Sequence, residues 1–438
     1  MTAELGLVVL LASVVLAVVI GTKCKTNIGI GGLAFAFIIG TMMMGKTIAQ
    51  VISYFPTSLL FMMMVVTMFY GFSSGNGSMQ ALADRIIYAS RKKLALVPII
   101  LYVACFVIAT LGAGASAAPI ILSPIAFTLA SSMGFSPVLA FLACALGSLA
   151  GGIQPWTSTG ILFKGIAMPI VGEEVAESVA WDYGLVLFIV PTAFFLICYF
   201  VFKGYKVSEG IEVKKPEPMT KQQKQTLAIV AAVMILVIVP VFTNMFVPNP
   251  VTKWFVSKFD IKVLCIFGSI VCAAMNLGDT KKIIKDNIPW GTIIMVCGMS
   301  TMIGVAVESG VADLVGSWIG DNIPTWLVLP LVCLLGGLLS FVTTGAAVIY
   351  PLFIPMFPAI SEATGISVVA LVMAIFAGVG ATGMSPFSQG GAMSITGCKD
   401  EAVRNSLWGK QLILASLFLL FYVVLAMLGL FDFAATIF

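Results

Sequence analysis

Long apolar runs separated by short polar stretches set the plan of this chain. A membrane crossing needs about 20 mostly apolar residues. Candidate runs fall at 5–21, 29–44, 57–73, 94–111, 136–152 and 183–202, then at 226–247, 261–277, 290–307, 324–342, 366–383 and 410–430. The pattern predicts an all-α polytopic membrane protein with 11–12 spanning segments. The polar stretch KGYKVSEGIEVKKPEPMTKQQKQ, residues 203–225, divides the runs into two sets. It carries six lysines, three glutamates and two prolines, and a short Lys-rich loop favours the cytoplasmic face. The expected organisation is a first transmembrane repeat over 1–202, a cytoplasmic linker over 203–225 and a second repeat over 226–438. The segment VGEEVAESVAWD, residues 171–182, is acidic, lacks Lys and Arg, and reads as a loop on the opposite face.

The two sets are copies. Shifting by 231 residues superposes Gly114 on Gly345, Pro124 on Pro355, Gly134 on Gly365 and Ser136 on Ser367. The same shift brings Gly147 to Gly378, Gly152 to Gly383, Pro155 to Pro386 and Gly160 to Gly391. Nearer the start of each half a shift of 233 pairs Gly45 with Gly278, Pro56 with Pro289, Gly71 with Gly304 and Gly77 with Gly310. Matching glycines and prolines mean more than matching apolar residues, because they fix where backbone bends or leaves a helix. Inverted copies need an odd number of crossings per half. Six candidate runs per half give parallel copies, unless one run in each half lies at the interface or re-enters.

Residues 112–132 (GAGASAAPIILSPIAFTLASS) are too broken for a clean span. They read as a re-entrant helical hairpin with a tip of small residues, and TTGAAVIYPLFIPMFPAISEATG repeats the form with Thr343 and Thr344 beside its tip. Irregular backbone at that depth must line a cavity or be covered by protein. A broken helix follows in each copy, at Gly152–Pro155 and Gly383–Pro386. Freed carbonyls there suit a cation, and the N–H groups opening a half-helix suit a carboxylate. The candidate substrate contacts are Gly114, Ala115 and Ser116, with Gln154, Pro155, Thr157, Ser158 and Thr159 in the first copy. In the second they are Thr344, Gly345 and Ala346, with Ser385, Pro386, Ser388 and Gln389. A sodium ion would sit near Ser116 and Gly152 or near Thr343 and Gly383.

Trp156 and Phe387 read as packing beside the breaks, with cavity lining as the alternative. Lys164 reads either as an anion attractor or as a side chain reaching for the interface. Glu308 and Asp313 flank a glycine and read as interfacial, with a proton site as the alternative. Residues 73–93 and 308–322 each read as a short amphipathic helix along the membrane surface.

Composition agrees: 60% of residues are hydrophobic, 10% are charged and mean hydropathy is +1.11, against about 25% charged in soluble domains. The net charge of +4 gives no reason for a nucleic-acid partner. The start, MTAELGL, lacks a basic leader, so the first apolar run is expected to stay. The nine cysteines form no CxxC and read as packing residues. The chain has no histidine, no GxxxxGK[ST] and no DDxxD. That argues against a metalloenzyme, an ATP-driven pump and a membrane-embedded enzyme. No cofactor is expected.

The stretches NIGIGGLAFAFIIGTMMMG, FPTSLLFMMMVVTMFYGFSSGNGSMQALADRI, GAGASAAPIILSPIAFTLA and AGGIQPWTSTG resemble the malonate/dicarboxylate carrier family, whose wider relatives are divalent-anion/sodium symporters. The resemblance implies inverted repeats, a homodimer built on scaffold helices in a bacterial cytoplasmic membrane, and elevator-type transport of di- or tricarboxylates. In the symporters a Ser-Asn-Thr motif at the hairpin tips meets sodium and substrate. Here the tips read Gly114-Ala115-Ser116 and Gly345-Ala346-Ala347, and only Ser116 keeps a hydroxyl. The coupling ion is therefore open between sodium and protons. The same superfamily includes cation/proton antiporters and arsenite carriers, which stay as alternatives.

Overall fold

The computed structural model describes residues 2–89, 94–206, 215–247, 249–341, 345–395, 397–398 and 400–437. The described residues are helical, without strands. Six helices are long and apolar enough to cross a membrane: Ala3–Gly21, Thr57–Gly75, Glu173–Val201, Lys221–Pro240, Trp290–Val307 and Glu401–Met427. Three belong to each half, and they occupy corresponding places.

The repeat read from glycines and prolines sets the helix boundaries. Ile28–Phe37 and Ile261–Ala274 start 233 residues apart, as do Thr57–Gly75 and Trp290–Val307, and Ser78–Ala89 and Val311–Asn322. Gly134 and Gly365 both take positive φ, 71° and 75°, a conformation that L side chains resist. Two residues on, the hydroxyls of Ser136 and Ser367 accept from Val138 N–H (3.3 Å) and Val369 N–H (3.2 Å). The same turn and cap thus launch Pro137–Gly152 and Val368–Thr382.

The halves are clasped. Ile28–Phe37 packs on Trp290–Val307 of the other half, and the counterpart Ile261–Ala274 packs on Thr57–Gly75. The first crossing is very close: a Cβ on Gly29 would stand 2.1 Å from the Ile294 carbonyl oxygen, and one on Gly298 2.1 Å from that of Gly29. Small residues let two helix backbones meet this way in lipid.

Each hairpin has its tip where the sequence places it, but its arms are drawn differently. The first arm is the apolar helix Val97–Ile108 with a π-helical end at Ala109–Ala113, and the second is Gly114–Met133. The run at 94–111 is thus a hairpin arm. It travels alongside Pro137–Gly152 in the same direction. Gly147 faces the Tyr102 carbonyl, Gly151 that of Phe106, and Gly152 meets Ala115 at the tip. The second arm returns to Met133, beside the start of Pro137–Gly152, so both arms end on one face. The second copy does the same: Thr325–Ser340 is its first arm, Gly378 rests on the Cys333 carbonyl, and Gly345 meets Val379. Its returning arm is fragmented into Gly345–Ile349, Tyr350–Phe353, Ile354–Met356 and Phe357–Thr364. Pro351, Pro355 and Pro358 each remove a backbone donor there.

Two expectations are corrected. The acidic segment 171–182 is not a loop. Glu173 and Glu174 open the helix Glu173–Val201, where carboxylates oppose the positive end of the helix dipole. The linker is shorter at its end, because Thr220 caps a helix that starts at Lys221. Residues 207–214 of the linker and the basic group 91–93 lie outside the described residues. All nine cysteines are free and eight of them are buried, as packing residues are.

Candidate substrate site

Both helices break as expected, and by the same device. At the first break the Thr157 hydroxyl donates to the carbonyls of Gly152 (2.7 Å) and Gln154 (2.8 Å) and accepts from Gly160 N–H (3.2 Å). At the second the Ser388 hydroxyl serves the carbonyls of Gly383 and Ser385 and accepts from Gly391 N–H (3.1 Å). Each hydroxyl both satisfies carbonyls freed by the break and caps the half-helix that follows. The glycines three residues on are required by contact. A Cβ on Gly160 would lie 2.0 Å from the Gln154 carbonyl oxygen, and one on Gly391 2.0 Å from that of Ser385.

The tips and breaks meet. A cavity of about 380 Å³ is lined by Ala115 and Gly345 from the two tips. Leu149 and Gly380 lead into the breaks, and Thr159 and Gly390 follow them. Ser148, Ser340, Tyr350, Gly383 and Ser388 supply polar atoms, while Phe163 and Phe387 supply rings. No described lining residue is charged. A second cavity of the same volume, between Tyr54, Ser300, Gly304, Pro351 and Pro355, touches neither break.

The expected contacts divide. Gly114, with φ +69°, and Ala115 form the first tip, and Ser116 lies in the first turn of the returning arm. Gly345 and Ala346 open the second returning arm, and Gln389 opens the half-helix Gln389–Ser394. Thr343 and Thr344 lie outside the described residues. Pro155 is buried and Pro386 half-buried within the breaks. Ser158 is half-buried at the first half-helix start, and Thr159 lines the cavity.

Gln154 and Thr157 are both engaged by the protein's own backbone. The Gln154 amide donates to the carbonyls of Ala150 (2.7 Å) and Gly184 (3.1 Å), and Thr157 is fully buried. Ser388 lines the cavity, but its hydroxyl is committed to the break. Ser385 stands where Gln154 stands in the first copy, and its buried hydroxyl has no hydrogen-bond partner.

The aromatic pair also divides. Trp156 donates to the Thr110 carbonyl (3.2 Å) and packs against Trp181, whereas Phe387 is 61% exposed beside the cavity. Lys164 is not among the residues that line the cavity. It is buried and paired with Glu177. Glu308 is exposed, pairing with Lys46 and accepting from the Tyr54 hydroxyl. Those two donors hold its carboxyl below the usual carboxylate range. Asp313 is exposed in the first turn of Val311–Asn322.

One region was missed. Residues 181–184 run past both breaks: Trp181 packs at a tilt against Trp156, the Gly184 carbonyl accepts from Gln154, and the Tyr183 hydroxyl lies beside Gly380. Between them Asp182 is fully buried. Lys164 and Asp182 are the buried charged side chains among the described residues. The only sequence signal was an acid directly preceding the apolar run YGLVLFIV.

Comparisons with known proteins agree with this architecture. Residues 1–152 match the family described as dicarboxylate carrier protein MatC N-terminus. This stretch contains the first hairpin and ends at the first break. No curated protein matches the chain. Among solved structures, the YdaH transporter of Alcanivorax borkumensis, described as having an unusual topology, superposes with a TM-score of 0.62 at 14% identity. The match covers 98% of each chain. The fold is therefore that of a membrane transporter over its whole length. The fold likeness spans the whole chain, and the likeness to a dicarboxylate carrier family covers its first 152 residues.

Proposed function

We propose that this protein is a secondary carrier of small dicarboxylates such as malonate or succinate. The observation that carries the reading is the convergence of both hairpin tips and both breaks on one cavity of about 380 Å³. The match of residues 1–152 to a dicarboxylate carrier family supplies the substrate class. The half-helix Ser158–Val171 directs its free N–H groups toward the cavity edge at Thr159, where a carboxylate is favoured. With no charged side chain in the described lining, a dianion meets only dipoles. Its charge then has to be balanced by a cation carried with it.

Either sodium or protons supply that cation. Freed carbonyls at the breaks suit sodium. Asp182, a fully buried acid on a spanning helix, is the observation that favours protons. It is also the one feature that favours the antiporter reading.

In this reading the clasped pairs, Ile28–Phe37 on Trp290–Val307 and Ile261–Ala274 on Thr57–Gly75, form a static scaffold. The hairpins and broken helices move against it as an elevator. Because each hairpin's arms end on one face, each half keeps an odd number of crossings, as inverted repeats require. A homodimer in a bacterial cytoplasmic membrane completes the proposal.

The test is uptake of labelled malonate and succinate by liposomes carrying the purified chain, with sodium and proton gradients imposed separately. Uptake under one gradient supports the reading and identifies the ion. Folded protein that takes up no dicarboxylate under either gradient overturns it. Proton release driven by sodium without any organic acid would favour the antiporter instead.

A further inference from the structure

Tyr183 is only 2% exposed, and its hydroxyl has no hydrogen-bond partner. A buried polar group left unpaired is costly, so native structures keep few without a use. The ring cannot swing away. Phe163 lies 6.1 Å and Phe376 5.4 Å from it, centroid to centroid, and those two rings stack at 4.5 Å. Tyr350 closes the box edge-on to both, at 5.1 and 4.6 Å.

The hydroxyl is aimed at the cavity wall. A Cβ on Gly380 would lie 3.3 Å from the Tyr183 oxygen and 3.7 Å from the Leu149 methyl carbon. Gly380 and Leu149 both line the cavity. They are also each other's counterparts in the two repeats, 231 residues apart. The second copy therefore lacks a side chain where the first has a leucine, and Gly380 is what stands between the tyrosine oxygen and the cavity.

The second break needs such a donor more than the first. Its half-helix, Gln389–Ser394, has six residues against fourteen in Ser158–Val171. Fewer aligned peptide units give a weaker positive end.

We propose that the Tyr183 hydroxyl is a substrate contact, donating to the carboxylate that lodges at the second break, and that Gly380 is the clearance that lets it arrive. This rests on the carrier reading above and assigns a neutral O–H donor to one end of the dicarboxylate.

The experiment compares wild type, Tyr183→Phe and Gly380→Ala as full-length protein. Melting temperature in detergent is read with and without succinate and malonate, and uptake KM is read in liposomes. Tyr183→Phe removes an unpaired hydroxyl, so its ligand-free melting temperature stays equal or rises. Its succinate-induced rise shrinks, and KM increases roughly tenfold or more, the loss of one hydrogen bond to a charged group. Gly380→Ala crowds the oxygen and raises KM in the same direction. A Tyr183→Phe protein that loses ligand-free stability yet keeps its KM and succinate response would make the residue structural. So would unchanged KM in both variants. If wild type itself responds to no dicarboxylate, the carrier reading fails first and takes this inference with it.

Discussion

The two helix breaks share a backbone, a proline and a capping hydroxyl, and differ in the other side chains around them. Each uses a hydroxyl to bind two freed carbonyls and cap the next half-helix, and each needs a glycine three residues later. Around that frame the first break is tied down. Gln154 reaches two carbonyls, Trp156 donates to Thr110, and Tyr70 donates to the Trp156 carbonyl at 3.1 Å. The second has Ser385 with an unpaired hydroxyl, an exposed Phe387 edge-on to Trp408, and a tie from Gln411 to the Gly391 carbonyl at 3.0 Å. Duplication kept what the main chain needs. Side chains were free to make one break an anchor and the other an opening.

That contrast can be broken by experiment. The largest effect comes from the glycines. Gly160→Ala should abolish transport and lower the yield of folded protein, since its Cβ would overlap a backbone oxygen held by several ties. Gly391→Ala meets an equal overlap in a less constrained setting. It should leave more folded protein, measured by size-exclusion recovery after purification. Equal losses at both sites would contradict the asymmetry.

The hydroxyls come next. Thr157→Val and Ser388→Ala each remove a cap and a carbonyl partner, worth about 1–2 kcal/mol. Thermal unfolding should show the loss at both, because both hydroxyls do the same job. Transport should fall further for Ser388→Ala, which also lines the cavity.

The smallest effect is a control away from both breaks. Glu308 has its carboxyl lowered in the folded protein, chiefly by Lys46 and then by Tyr54. A depressed folded value contributes stability above the unfolded pKa, and that contribution is lost as pH falls through the folded one. Glu308→Gln should therefore flatten the acid side of a stability profile slightly and leave substrate KM unchanged. A shifted KM would mean that this pair communicates with the breaks.

Much of this was legible because glycine and proline constrain backbone directly. Gly134 and Gly365, Gly160 and Gly391, and the breaks themselves stand where the doubled pattern puts them. Two features were hidden for physical reasons. A twelve-residue apolar helix such as Val97–Ile108 has the same hydropathy whether it crosses or turns back. Only its contacts with Gly147 and Gly151 show which. The start of Glu173–Val201 was hidden because its acids look like a loop, although at a helix N-terminus they are favourable. That misreading concealed Asp182. The hydroxyls of Thr157 and Ser388 were found, but not their bonds to the carbonyls of the breaks. Spacing alone cannot say whether a hydroxyl serves its own backbone or a guest.

The half-helix Gln389–Ser394 and the turn after it lie on the first hairpin, where Gly397 N–H donates to the Ser123 hydroxyl at 2.9 Å. During synthesis the earlier half therefore waits for a piece of itself that the ribosome has not yet made. At about 5–20 residues per second, the 274 residues between Ser123 and Gly397 take roughly 14–55 s. Through that interval an unfinished surface faces lipid or an insertion partner. Translation speed and the insertion machinery thus become determinants of how much working protein a cell obtains.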